Sequence, residues 1–246
     1  IPLWNNSMNS KKTISYIVAI SDKIYTLVGF FLINEKPTSS KDPFALRRSA
    51  IGLLRTIIDN KLNLKLRNLI SYNIKLLEEQ GVRKTNENSE NEILNFLKER
   101  MKNILKDKNI KSDIIEASIS SYFSDNYFDL YKKNTLMNKY INKEAGINAI
   151  SSYKRAFNIV ESAKENLSGR PDAVLFRKDE EKHLFEKLNE IRKSFTVNEQ
   201  DKDYEKLLLS LSEVKIFTDK FFDNVIVNDD NNDCLLYTSD AADDWS

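Results

Sequence analysis

The sequence predicts an all-α fold, and three observations predict it. Gly 5 and Pro 4 are low counts for 246 residues, so the chain has little of the punctuation that hairpins and tight turns need. It is rich in Ile, Leu, Lys and Asn, and its apolar residues recur at helical spacing between short polar breaks. Hydrophobic residues at 41% and charged residues at 30% suit a folded chain with a real core rather than a disordered one.

Taken in order, the first helix is expected over 13–33, apolar enough to be buried on most sides. The polar loop 34–41 follows. Asp42 and Pro43 then read as the N-cap and first turn of a second helix. On it Leu46, Ala50, Leu53, Leu54 and Ile57 fall on one stripe, Arg48 and Arg55 lie opposite, and Arg47 sits at the edge. A third helix over 66–79 should end at Gly81.

Residues 83–91 contain no apolar side chain and are the expected domain boundary. Ser89 and Glu92 then form a capping-box pattern ahead of Ile93, Leu97, Met101 and Leu105. Further helices are expected over 113–123, 126–141, 145–166, 173–194 and 203–222, with Gly169 and Pro171 breaking the chain between the third and fourth of these. There is no internal repeat.

Net charge is +1, but it is unevenly distributed. Residues 1–85 hold 14 Lys/Arg against 6 Asp/Glu, whereas residues 172–233 hold 10 against 16. A basic first third is compatible with a polyanion, and equally with an ordinary solvated surface. No signal peptide is visible. No run reaches the ~18 apolar residues of a membrane span, because Ser21, Asp22 and Lys23 interrupt the nearest candidate. The expected location is the cytoplasm, with no membrane partner. One Cys and one His cannot form a disulfide framework or a Cys/His zinc site.

The most specific stretch runs from Ser21 through Thr26-Leu-Val-Gly-Phe-Phe31, then from Glu35-Lys-Pro through Lys41-Asp-Pro-Phe-Ala-Leu-Arg-Arg48. It resembles the corresponding helix, loop and helix of the bacterial glycyl-tRNA synthetase beta subunit. Tyr153-Lys-Arg-Ala-Phe-Asn-Ile159, Arg170-Pro-Asp-Ala-Val-Leu-Phe176 and Phe221-Phe-Asp-Asn-Val-Ile-Val227 resemble later segments of that family, in the same order. Tyr25 stands where the family usually has Asp, and Ser39 where it usually has Gly. The family's closing helix after Val227 has no counterpart. Residues 234–246 instead resemble the translation of a transposon-based sequencing adapter, and on that ground they are expected to lie outside the fold.

The resemblance implies a C-terminal portion of the beta subunit. Residues 1–85 would be the end of an HD-type helical domain, and 86–233 a helical-bundle anticodon-binding domain. It implies a part in glycine–tRNA ligase that binds and positions tRNA(Gly), with no catalytic residue of its own. Its partner would be the alpha subunit, in an alpha2beta2 heterotetramer. No cofactor belongs to this portion; ATP and Mg serve the whole enzyme through the alpha subunit.

The candidate tRNA contacts are Lys41, Arg47, Arg48 and Arg55 around the second helix, and Lys154 and Arg155 beside Tyr153. Arg offers a fork of donors that fits phosphate oxygens, and basic residues beside aromatics suit unpaired bases. The competing reading of the arginines is a solvated face or internal pairing with Asp42 or Asp59. In that reading Tyr153 and Phe157 are core residues one turn apart, and the core is the expected place for Phe157.

An HD-type phosphohydrolase is the alternative, with Asp22 near a metal ligand position. It lacks the His ligands, since His183 lies far off on an acidic helix, so no metal site is expected. Glu180-Glu181 and Asp229-Asp230 read as solvated carboxylates. A helical interaction module without an RNA role is the third reading.

Overall fold

The computed structural model describes residues 10–38, 40–82, 86–120, 125–162, 171–196 and 203–225. Among them the structure is helical, with nine α-helices and one 3-10 turn. The chain divides into two compact units, 1–135 and 136–246. The division expected near residue 85 therefore falls inside the first unit, because the helix that follows it packs on the helices before it. The anticodon-binding region was expected to begin there. The adapter-like tail lies outside the described residues.

In the first unit α1 (Ser10–Leu32) packs against α2 (Leu46–Asp59), α3 (Leu66–Glu79) and α4 (Ser89–Asp107), and α5 (Ser112–Ser120) packs on α4. The stripe Leu46, Ala50, Leu53, Leu54 and Ile57 is buried as its spacing required. α1 differs from expectation. Its second half is core, with Leu27, Val28 and Leu32 sealed, but Ile14, Ile17, Val18 and Tyr25 are exposed. By length and composition alone, Thr13–Leu32 would suffice to cross a membrane, because Ser21, Asp22 and Lys23 only dent its hydropathy. Burial of its second half against α2, α3 and α4 gives that composition a core role instead.

The helix ends are set by local chemistry. α2 begins at Leu46, later than expected, because Asp42–Ala45 form a turn and Ala45 takes a left-handed conformation at φ 53°. Asp42 still does the capping, since its carboxylate accepts the backbone N–H groups of Leu46 at 2.8 Å and Arg47 at 3.1 Å. α3 ends as Gly81 implied. At φ +87° its N–H reaches the Glu78 carbonyl and that of Val82 reaches Leu77.

The capping box does not form. Ser89 is already helical and buried, and its hydroxyl has no partner. Glu92 instead receives Lys36, which ties the loop after α1 to α4, and Asn86 from just before α4, and both hold that carboxyl below its ordinary value.

α6 (Tyr127–Tyr140) spans the division between the units. In the second unit α7 (Glu144–Ser162) and α8 (Asp179–Thr196) both pack on α9 (Tyr204–Asn224). The helix expected over 173–194 starts instead as a 3-10 turn at Ala173–Leu175. Glu181 then caps α8 by accepting the N–H groups of Arg177 and Lys178 at 2.7 and 2.6 Å. Leu184, Ile191, Val214 and Phe221 form the core of this unit. Between α7 and α9 the small polar residues Ser152 and Thr218 are buried, with hydroxyls 3.3 Å apart.

Candidate nucleic-acid interface

The four basic candidates of the first unit cluster around the start and outer face of α2. Lys41 is exposed at the head of a tight loop, where its carbonyl accepts from Thr38 N–H at 3.0 Å and its N–H donates to Thr38 Oγ1 at 3.2 Å. Arg47 is half-buried and its Nη2 donates to the Thr38 carbonyl, so it holds the loop. Arg48 is exposed, and no described residue pairs with it. Arg55 faces Asp107 of α4 at 3.9 Å, a loose and exposed pair of little energetic worth. That pairing partner differs from the expected Asp42 or Asp59.

The second unit separates its two candidates sharply, although they are neighbours in sequence. Arg155 spans two carboxylates of α9, with Nη1 3.2 Å from Asp219 and Nη2 3.1 Å from Asp223, and its head lies 4.9 Å from the Phe222 ring centroid. A guanidinium held this way joins two helices. It is not poised for an external phosphate. Lys154 points elsewhere, is exposed, and pairs with no described residue.

Around Lys154 the core placement expected for Phe157 does not hold. Tyr153 is 61% exposed and Phe157 is 43% exposed. Their rings stack at 5.8 Å between centroids with planes 26° apart. Helical spacing puts them on one face, and the contacts of α7 with α9 use the other. Two accessible aromatic rings beside a lysine that pairs with no described residue can stack unpaired bases and neutralise the adjoining phosphate.

Two features escaped the sequence. Arg100 on α4 stands 4.2 Å over the Phe96 ring, close enough to Arg47 for their charges to interact. The signal available for it was its place one turn after Phe96, at the edge of the buried stripe. A groove of about 460 Å³ between α1 and α3, lined by Asp22, Tyr25, Tyr72 and Asn73 among others, has no linear motif. Asp22 lines this groove, and among the described residues no three His, Cys, Asp or Glu cluster as metal ligands. His183 is exposed on α8; Asp229 and Asp230 lie outside the described residues.

The helical second unit, with aromatics and a lysine presented on one helix, belongs to a defined class: residues 149–238 match the DALR anticodon binding domain. Residues 2–120 match the glycyl-tRNA synthetase beta subunit family. The chain is 37% identical over 213 residues to the glycine–tRNA ligase beta subunit of Rickettsia africae (strain ESF-5), covering 87% of this chain and 30% of that protein. Its counterpart in Rickettsia canadensis (strain McKiel) is 38% identical over 213 residues, covering 87% of this chain and 31% of the relative. The chain belongs to the glycyl-tRNA synthetase beta-subunit family, and it spans about 30% of the length of the curated relatives it matches.

Proposed function

We propose that this chain is a tRNA-handling part of glycine–tRNA ligase, holding tRNA(Gly) for ATP-dependent glycylation carried out with the alpha subunit in the cytoplasm. The observation that carries the reading is the exposed Tyr153–Phe157 stack with Lys154, on the first helix of the region that matches an anticodon-binding domain.

The mechanism is positioning. A tRNA gripped at its anticodon end presents its acceptor end in a restricted set of orientations, which lowers the entropic part of the barrier to aminoacylation. ATP and Mg would be handled by the alpha subunit, and the two subunits would assemble as a heterotetramer. Lys41, Arg48 and Arg55 supply a second, weaker set of phosphate contacts in the first unit. Arg155 acts by fixing α7 on α9 rather than by touching RNA.

The test is binding of the full chain to tRNA(Gly) over a salt series, beside a noncognate tRNA and a tRNA(Gly) with an altered anticodon. Tighter cognate binding that the anticodon change weakens supports the reading. Equal weak binding of all three, with helices intact by circular dichroism, would sink it in favour of a scaffolding role.

A further inference from the structure

Gly52 sits in the middle of α2, where only proline would suit a helix less well. The missing side chain leaves a lane across the helix, and the stem of Lys23 from α1 runs through it. A Cβ added at Gly52 would stand 3.0 Å from Lys23 Cε and 3.7 Å from Lys23 Cδ. The ammonium lies one bond beyond Cε, so it is carried onto the outer stripe of α2. Arg48 stands one turn before Gly52 on that stripe and Arg55 one turn after it, and residues so spaced have Cβ atoms roughly 5–6 Å apart. Three cations from two helices thus share one surface.

Little within the first unit answers these charges. Lys23 and Arg48 pair with no described residue, and Arg55 has only its loose contact with Asp107 at 3.9 Å. The Gly52 carbonyl accepts the Thr56 hydroxyl at 2.8 Å rather than the amine. Asp59, one turn beyond Arg55 on the same stripe, pairs with none of the three, and Asp22 lines the groove on the α3 side of α1. We propose that Lys23, Arg48 and Arg55 form one row of RNA phosphate contacts, assembled through the lane at Gly52. The row rests on the tRNA-handling reading and adds Lys23 to it. From Arg48 to Arg55 it runs about 10 Å along α2, which suits successive phosphates of one strand rather than a single ion. The arginines supply forks and Lys23 a compact charge between them.

The experiment measures binding of the full chain to tRNA(Gly), and to an RNA hairpin of unrelated sequence, over a salt series. Lys23→Met keeps an unbranched stem across Gly52 without the charge. It should lower the slope of log K against log salt by about 0.7–0.9 on both RNAs, and Arg48→Met should do the same. Gly52→Gln fills the lane and displaces the Lys23 stem, so it should weaken binding nearly as much as Lys23→Met. The double variant Lys23→Met/Gly52→Gln should bind no worse than Lys23→Met alone. Circular dichroism of each variant separates lost binding from lost folding.

A folded Lys23→Met chain with wild-type affinity and slope on both RNAs overturns the row and leaves the tRNA-handling reading standing. Additive losses in the double variant also overturn it, because Gly52 and Lys23 would then act apart. Failure of the broader reading looks different. The wild type would bind tRNA(Gly) and the hairpin alike, while the slope change at Lys23 persisted. A wild type that binds neither RNA overturns both.

Discussion

Asp42 and Leu46 are joined by a side-chain cap at 2.8 Å although four positions separate them, because the turn between them folds the carboxylate back over the start of α2. The cap therefore belongs to the whole turn and not to a single N-cap residue. Ala45, at the N-cap position itself, contributes no side-chain bond. Asp42→Ala should destabilise the first unit by about 1 kcal/mol, with Asp42→Asn losing less, as measured by urea unfolding followed at 222 nm. An Ala variant as stable as wild type would mean that water replaces the cap at no cost.

The Arg155 fork gives a pH dependence of definite sign. Asp219 is held below its ordinary value of 3.8, first by its hydrogen bond to Lys215 and then by Arg155. A depressed carboxylate contributes stability that is present above its unfolded pKa and is lost as pH falls through the folded one. The second unit should therefore weaken from pH 3.8 downwards, and Asp219→Asn should flatten that part of the profile. The effect will be modest, because the carboxylate is partly exposed and screened by solvent. Thermal unfolding across an acid series reads it, and an identical acid slope in the variant would refute the assignment.

Legibility in the sequence followed the reach of the interactions involved. The buried stripe of α2 and the glycine stop of α3 depend on spacing within one helix, so both could be read directly. The Ser89–Glu92 box failed because Glu92 found Asn86 just ahead of α4 and Lys36 from the loop after α1, and no local pattern connects Lys36 to it. The compact units divide after residue 135 and not at the polar stretch 83–91 for the same reason. A polar stretch marks a surface loop, but only the packing of α4 on α1 and α2 decides which side of a boundary it lies on. At the site, Lys154 and Arg155 are indistinguishable in sequence. They separate only when Asp219 and Asp223 arrive from another helix.

Two glycines should respond to alanine in different ways. At Gly81 nothing lies within 4 Å of an added Cβ, so the cost is that of a left-handed backbone at φ +87°, about 1 kcal/mol. At Gly146 an added Cβ would stand 2.2 Å from the Tyr140 carbonyl oxygen, a backbone atom, so the α6–α7 turn must move. Gly146→Ala should therefore cost clearly more than Gly81→Ala in thermal unfolding. The reverse order would mean that the turn yields easily.

The aromatic face of α7 can be tested against the alternative that it merely packs another helix. Stacking and charge leave different marks on RNA binding. Tyr153→Ala removes a ring 61% exposed and should weaken tRNA(Gly) binding by about 1–3 kcal/mol while leaving the salt slope unchanged. Lys154→Gln removes a phosphate contact and should lower the slope of log K against log salt by about 0.7–0.9, with a smaller loss at high salt. Tyr153→Phe should bind nearly as wild type, because the ring and not the hydroxyl does the stacking. If Tyr153→Ala and Lys154→Gln both leave affinity and slope untouched, α7 presents a packing surface, and RNA contact must be sought elsewhere on the chain.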